Sequence, residues 1–221
     1  GYDNIEESTM TGEVVRGVVP YLEKCTDRVK TALVNMGYFE SVTYSFMSAG
    51  ELDKLNISKD DSLRKMVKIL NPLGEEYGYM RTSPVPDMLK VMSRNINMKQ
   101  KDIRVFETGR VYLPEETPIK ELPLEQHFIC LGISGKDEDF YTLKGTLENA
   151  ADILGIKKLN FEFGGPDYYH PGRKANILVN KTIVGQMGEV HPDVLKNYDV
   201  DERAYLANIC LEALYDFVDD K

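Results

Sequence analysis

The chain has 221 residues, of which 42% are hydrophobic and 29% charged, a composition ordinary for a folded protein with one large mixed domain or two closely packed lobes. Acidic residues outnumber basic ones by 36 to 27, and the formal net charge of −9 argues against a protein whose main task is to grip phosphate groups. No apolar run approaches the roughly 18 residues of a membrane span, and the N-terminal residues lack the pattern of a signal peptide.

The first part of the chain alternates helical and strand patterns. The predicted elements are a helix over 26–36, a strand over 39–46, a short helix over 48–55 and a strand over 65–70. Thr26 is the predicted N-cap of the first helix, and Gly37 is its stop. Ser48 and Glu51 form a capping-box pattern that predicts the start of the second helix.

The remainder of the chain is richer in strands. The predicted elements are a helix over 83–96, strands over 103–108 and 110–113, a loop over 114–124, a strand over 127–134, a helix over 141–154, strands over 158–163, 175–179 and 182–187, a short helix from Pro192, and a strand over 204–211. Gly109 is predicted to bend its strand, and Asn180-Lys181 has the composition of a hairpin turn. Adjacent hairpins with helices at their sides predict an α+β fold with a mostly antiparallel sheet.

The cysteines Cys25, Cys130 and Cys210 are too far apart to indicate a zinc site or a disulfide framework. Each lies among apolar neighbours, which predicts buried, reduced thiols. Reduced thiols are typical of cytoplasmic proteins, so we expect a cytoplasmic location. Since the sequence begins with Gly1 and lacks an initiator Met, we expect it to be a piece of a longer protein.

Common catalytic motifs are absent from the sequence. It contains no G-x-G-x-x-G or G-x-x-x-x-G-K-[ST] loop for a nucleotide and no G-x-S-x-G elbow for a nucleophilic serine. His127, His170 and His191 do not have the spacing of metal ligands. The acidic run 137–139 could hold a divalent cation, but an acidic flank before a helix is the favoured interpretation.

Seven short segments follow one another in a characteristic order. They are Gly1-Tyr2-Asp3-Asn4-Ile5, Asn71-Pro72-Leu73-Gly74-Glu75-Glu76, Met80-Arg81-Thr82-Ser83, Phe106-Glu107-Thr108-Gly109-Arg110-Val111-Tyr112, Asp139-Phe140-Tyr141-x-x-Lys144-Gly145, His170-Pro171-Gly172-Arg173 and Gly185-x-x-Gly188-Glu189-Val190-His191-Pro192. In order and spacing they resemble the β subunit of bacterial phenylalanine–tRNA ligase. The resemblance implies that residues 1–12 end a preceding helical domain or form a linker. It implies that residues 13–221 form a catalytic-core-like module with the class II aminoacyl-tRNA synthetase fold.

The same resemblance implies that the module is not catalytic. Active class II synthetases bind ATP with an arginine in a pattern written F-R-x-E and with a second arginine in G-x-G-x-x-x-R. The comparable stretch here is Arg104-Val105-Phe106-Glu107, with Glu107 where the pattern has arginine, and the second pattern does not occur. Arg104 is two positions before Phe106 and therefore on the same side of a strand, so it cannot simply substitute. We expect no catalytic, cofactor-binding or metal-binding residue in this chain.

A supporting role is what the resemblance implies instead. The module would pack against the catalytic α subunit in an (αβ)₂ heterotetramer that attaches phenylalanine to tRNA(Phe), with ATP and magnesium held by the α subunit. The segment comparable to class II motif 1 is 26–46, and its helix carries an apolar stripe, which faces either the partner or the chain's own sheet. The candidate interface or structural residues are Val29, Leu33, Met36, Arg81, Glu107, Arg110, His170 and Arg173.

Two other functions remain open on the sequence. One is a self-sufficient ATP-dependent ligase with unusual motifs. The other is a protein- or RNA-interaction module that shares the synthetase fold. The acidic net charge predicts that this chain by itself binds tRNA weakly.

Overall fold

The computed structural model describes residues 1–218. Its six helices, α1 to α6, span Tyr21–Asn35, Gly50–Lys54, Val85–Asn97, Phe140–Ile153, Pro192–Asn197 and Leu211–Tyr215. Its nine strands, β1 to β9, span Phe39–Glu40, Phe46–Met47, Tyr79–Met80, Ile103–Leu113, Leu124–Ser134, Asn160–Phe163, Tyr169–Val179, Thr182–Val190 and Ala204–Cys210. Three single-turn 3₁₀ helices lie at Tyr2–Asn4, Ser62–Arg64 and Glu75–Tyr77. In this part of the chain, no helix has both the length and the apolar character needed to cross a bilayer.

Seven strands form one sheet in the order β1-β4-β5-β9-β8-β7-β6. The two-residue strand β1 runs parallel to β4, and the other neighbouring pairs are antiparallel. Strands β2 and β3 form a separate antiparallel pair. The predicted α+β fold with a mostly antiparallel sheet is confirmed.

Side-chain alternation along the strands divides the core between the two faces of the sheet. Phe106 and Leu131 point to one face, where they pack in a buried cluster with residues of α1, α4 and α6. Phe128 and Cys130 point to the opposite face and pack with residues of α3 and α5. We call this second side the α3 face, because α3 contributes Met88, Leu89 and Met92 to its core.

The hairpin between β7 and β8 shows how local sequence fixes an element. Asn180 and Lys181 join the two strands, and both have positive φ angles, of 47° and 73°. A two-residue turn of this kind matches the right-handed twist of the strands it connects. The predicted hairpin turn is confirmed, as is the short helix that begins at Pro192.

Two predictions in the first part of the chain were wrong about helix starts. Helix α1 begins at Tyr21, so Thr26 lies inside it and donates its hydroxyl to the carbonyl of Leu22 at 2.8 Å. Helix α2 begins at Gly50 without a side-chain cap. Glu51, the expected partner in the capping box, is buried and accepts a hydrogen bond from the Tyr198 hydroxyl at 3.0 Å, so a tertiary contact replaces the local one.

Predicted strands also differ from the observed ones in three places. The strand expected over 39–46 is two short strands, β1 and β2, with an irregular segment between them. The strand expected over 65–70 is reduced to a single bridge between Lys68 and Tyr79. The bend expected at Gly109 is absent, because the pairing of β4 with β5 continues through Gly109 without interruption. A Cβ at Gly109 would collide with Arg81 Nη2 and lie 3.1 Å from the Phe128 ring, so close packing is what requires glycine.

The N-terminal residues 1–20 are exposed throughout and contain one ordered turn, at Tyr2–Asn4. The packed body begins with α1. The division into residues 1–12 and 13–221 stays a prediction.

Candidate functional site

Arg81 and Glu107 form a buried ion pair on the α3 face of the sheet. Arg81 follows β3 and Glu107 lies in the middle of β4; the Nη1 atom is 2.9 Å from the carboxylate, and the two side chains are 2% and 3% exposed. Thr43, between β1 and β2, donates its hydroxyl to Glu107 at 2.9 Å and accepts from Arg81 Nη1 at 2.9 Å. Arg81 Nε donates to the carbonyl of Arg110 at 2.9 Å. The pair therefore ties three separate segments together.

A second carboxylate, that of Asp87, lies in the first turn of α3. It is 3.5 Å from Arg81 Nη1 and 3.4 Å from Lys90 Nζ. Burial raises the pKa of Asp87 above its ordinary value, although Lys90 and Arg81 both lower it. The Arg81 guanidinium also lies 4.8 Å from the centre of the Phe128 ring. Its Nε and Nη1 donors are thus committed to groups of the protein itself.

Glu107 belongs to a row of polar residues that crosses the sheet. Strand register pairs Glu107 with Cys130, Cys130 with Asn208, Asn208 with Gln186, and Gln186 with Asn176. Directly paired residues point to the same face, which here is the α3 face. Of these five residues, only Glu107 is a predicted site residue, because the other four lie in distant segments that only the strand register brings together.

Arg104 and Arg110 project from β4 to the face opposite Glu107, as alternation requires. Arg104 Nε lies 2.7 Å from the Glu138 carboxylate, and Arg110 Nη1 lies 2.8 Å from Glu125. Arg104 is therefore separated from Glu107 by the sheet. This placement agrees with the inference that Arg104 cannot take the place of the missing arginine.

Arg173 contributes to a second ion-pair cluster on β7 and β8. It lies 3.0 Å from the carboxylate of Glu189, and Arg203 approaches the same carboxylate to 2.5 Å. Burial of Glu189 acts to raise its pKa, but the two arginines hold the pKa below its ordinary value. Glu189 is buried whereas both arginines are about half exposed, so the cluster faces solvent on its cationic side.

The three histidines form contacts with other groups of the protein. His170 Nδ1 accepts the N–H of Gly172 at 3.1 Å, and His191 caps the start of α5 with its Nδ1. His127 Nδ1 lies 2.5 Å from the carboxylate of Glu212. Within residues 1–218, no group of three or more His, Cys, Asp or Glu side chains is placed to hold a metal ion.

Two residues of the acidic run before α4, Glu138 and Asp139, bind other groups of the chain. Asp139 is the N-cap of α4, and its carboxylate accepts the Thr142 N–H at 2.7 Å. That backbone hydrogen bond is the main cause that lowers the pKa of Asp139. Glu138 is paired with Arg104. The interpretation of this run as a helix flank is confirmed for Asp139.

The apolar stripe of α1 lies against the chain's own core. Val29 and Leu33 are 3% and 1% exposed and belong to the cluster on the face opposite α3. Met36 packs at the edge of the same cluster and is partly buried. Of the two alternatives for Val29 and Leu33, the structure places both side chains against their own sheet. Whether a second chain contacts this helix stays a prediction.

Exposed apolar side chains lie just beyond the stripe. Phe39, Val42 and Tyr44 are 76%, 88% and 61% exposed. They stand on β1 and on the segment that follows it, which Thr43 anchors to the buried Arg81–Glu107 pair. Several exposed apolar side chains on an anchored segment are typical of an interaction surface. We call these three residues the motif 1 surface; they lie in the segment 26–46 that was compared with class II motif 1, but none of them is among the predicted site residues.

Comparison with known proteins assigns the chain to a family. Residues 5–211 match the family model described as "Phenylalanyl tRNA synthetase beta chain CLM domain". The phenylalanine–tRNA ligase β subunit of Clostridium acetobutylicum is 38% identical over 220 residues, which are 99% of this chain and 27% of that protein. The β subunit of Clostridium tetani is 40% identical over 217 residues, which are 97% of this chain and 27% of that protein. The chain therefore spans about a quarter of the length of these relatives.

Solved structures confirm the fold. Pyrrolysyl-tRNA synthetase from Desulfitobacterium hafniense superposes with a TM-score of 0.72 at 18% identity, over 88% of this chain and 68% of that one. A second structure of the enzyme from this organism gives a TM-score of 0.71 at 17% identity. At this identity the likeness concerns the fold alone. By the match of residues 5–211 and the identity to these β subunits, the chain belongs to the family of the phenylalanyl-tRNA synthetase β chain CLM domain.

Proposed function

We propose that this chain is a non-catalytic core module of a phenylalanine–tRNA ligase β subunit, and that it supports the catalytic α subunit in the ATP-dependent attachment of phenylalanine to tRNA(Phe). The proposal includes an (αβ)₂ assembly in the cytoplasm, with ATP and magnesium held by the α subunit. The membership of the chain in the β-chain family supports the choice of partner.

The observation that carries the non-catalytic part is the engagement of Arg81 by Glu107 and Thr43. Adenylate formation develops negative charge on phosphate oxygens, and class II chemistry needs guanidinium groups free to stabilise it. On the α3 face, the Nε and Nη1 donors of Arg81 bind protein groups, and Arg104 lies on the other side of the sheet. Losing such donors costs several kcal/mol of transition-state stabilisation, or several orders of magnitude in rate.

The motif 1 surface supports the partner-binding part. Its side chains are exposed, but the segment beneath them is held by Thr43, whose hydroxyl is hydrogen-bonded to both members of the buried ion pair. An anchored segment loses little conformational entropy on binding, which favours association. Arg81 and Glu107 would therefore contribute to assembly indirectly, through the position of residues 42–44.

Co-expression with the α subunit, followed by size-exclusion chromatography and an aminoacylation assay, tests this function. We expect Val42→Asp to weaken association by about tenfold or more, because a charge would be buried at the contact. Leu122→Asp is the matched control, since Leu122 is 94% exposed in the loop between β4 and β5, whereas β1 pairs with the opposite end of β4. Unchanged association of the Val42 variant would contradict the assigned surface, and no association of the wild-type chain would contradict the proposed partner.

Titration of the purified chain with ATP and with phenylalanine tests the non-catalytic part separately. We expect saturable binding of neither, because residues 1–218 present no pair of free guanidinium groups on the α3 face. Saturable binding of both would instead favour an independent ligase.

A further inference from the structure

A pocket of about 320 Å³ opens on the α3 face, beside the Arg81–Glu107 pair. Its floor includes Phe128, Gln186 and Asn208, which come from three neighbouring strands. One wall is residues 82–84, at the start of α3, and the other includes Pro166 and Tyr168. This volume falls at the lower end of the range for sites that hold small molecules.

Three side-chain amides line the pocket without protein partners. Gln126, Gln186 and Asn208 form no side-chain hydrogen bond with any other group in residues 1–218. The Oδ1 atom of Asn208 is fully buried, and Gln186 is its direct neighbour in the strand register. A buried acceptor without a donor is costly and rare in folded proteins. The pocket is therefore lined by side-chain amides whose hydrogen-bonding groups are not used by residues 1–218.

The pocket is not suited to an anion. Its lining includes no Lys, Arg or His side chain, and no Asp or Glu. The start of α3 would ordinarily offer free N–H groups to a phosphate. Here Pro84 and Pro86 have no N–H, and the N–H of Val85 is donated to the Ser83 hydroxyl at 3.3 Å. The Arg81 guanidinium contacts Phe128, but its charge is balanced by Glu107.

Apolar and aromatic groups complete the lining. Phe128 and Val111 lie on the floor, and Pro84, Pro166 and Tyr168 stand at the sides. Such surfaces accept a flat ring, because stacking and burial of apolar area favour it. Asn and Gln amides present a donor beside an acceptor, so they match a planar edge that does the same, as adenine does with its amino group and ring nitrogen.

We propose that this pocket binds a small uncharged molecule in which a planar ring carries an adjacent donor and acceptor, as in a nucleobase or an aromatic carboxamide. The amides of Asn208 and Gln186 hold the polar edge, while Phe128 and Tyr168 pack against the ring. The proposal does not depend on the partner subunit or on aminoacylation.

Matched neutral and charged probes test the pocket. The side-chain amide signals of Gln126, Gln186 and Asn208 are followed by ¹⁵N NMR of the purified chain during titration with nicotinamide, nicotinate, adenosine and AMP. We expect saturable shifts with nicotinamide or adenosine, and binding at least tenfold weaker for the anionic member of the same pair. No shift at millimolar probe, or equal binding of the neutral and anionic members, would overturn the proposal and leave the amides with a role in hydration only.

Variants place the binding on the named residues. Asn208→Leu removes the unpartnered acceptor at similar volume, and we expect at least a tenfold loss of affinity. Asn176→Leu is the control, since Asn176 lies in the same polar row but does not line the pocket. If Asn208→Leu loses its folded spectrum, Gln186→Met gives the same comparison. Unchanged affinity in the folded pocket variant, or an equal loss in the control, would overturn the proposal.

Discussion

Arg81 carries a full charge at 2% exposure, and its burial is tolerated only because Glu107, Thr43 and the carbonyl of Arg110 surround it. A buried pair adds little net stability over an apolar replacement, but breaking it leaves an isolated charge in a medium that solvates it poorly. The residue is thus expected to be far more sensitive to single substitution than its exposed counterparts.

We expect Arg81→Met to lower the free energy of unfolding by about 3–5 kcal/mol, because Glu107 and Asp87 would lose their shared cation. The double variant Arg81→Met with Glu107→Leu should recover part of this loss, since no unpaired Glu107 charge remains. Urea denaturation measures both. Arg173→Met, which removes one of the two half-exposed arginines that pair with Glu189 and leaves Arg203 in place, is the control and should cost about 0–1 kcal/mol. An Arg81 variant no less stable than this control would show that the pair contributes little.

Glu189 gives a prediction about pH. Its pKa in the folded chain lies below the ordinary 4.5, because the effect of the two arginines outweighs that of burial. As pH falls, the Glu189 carboxylate therefore binds a proton in the unfolded chain before it does so in the folded chain, and the free energy of unfolding decreases. The stabilisation is fully present above pH 4.5 and is lost as pH falls through the folded-state pKa.

Unfolding free energies of the wild type and of Glu189→Gln, measured between pH 7 and pH 3, test this sign. We expect the difference between the two proteins to be largest at pH 7 and to shrink below pH 4.5, where the wild-type carboxyl begins to lose its charge-dependent advantage. A difference that grows as pH falls would mean that the folded-state pKa of Glu189 is raised.

At the scale of the element, the β7–β8 hairpin retains backbone strain that a single change can relieve. Lys181 has a φ of 73°, a region that costs a side chain with a Cβ about 1 kcal/mol or more. We expect Lys181→Gly to raise the free energy of unfolding by several tenths to about 1 kcal/mol, after the greater entropy of glycine in the unfolded chain is subtracted. Lys158→Gly is the control, because Lys158 is exposed and has no positive φ. Destabilisation by Lys181→Gly equal to that of the control would contradict the expected strain.

Elements were predictable where their signals are local. The Asn180-Lys181 turn and the helix that begins at Pro192 follow from residues that act within one turn of the chain. Predictions failed where a distant partner decides the outcome. Glu51 does not form the predicted capping box, because it binds Tyr198, 147 positions away. Gly109 does not bend its strand; glycine is required there because Arg81 packs against it.

At the scale of the molecule, the site was only partly predictable. Glu107 stood out because it occupies the place of an arginine in a known pattern, and the structure shows it paired with Arg81. The other members of the polar row, Cys130, Asn208, Gln186 and Asn176, come from four strands whose order in the sheet differs from their order in the sequence. A single sequence carries no signal for such a row, since register is set by packing across the whole sheet.

The charge distribution of the chain predicts weak binding to tRNA. The chain has 27 basic against 36 acidic residues, and the arginines of its buried and half-buried clusters are paired with carboxylates. Release of counterions from a nucleic acid requires unpaired cationic side chains on the protein. We therefore expect the affinity of this chain for tRNA to be low. We expect filter binding of the purified chain to tRNA(Phe) to be at least about a hundredfold weaker than that of the assembled ligase. Tight binding by the chain alone, lost steeply as salt is raised from 50 to 200 mM, would mean that a cationic surface of the chain binds RNA directly.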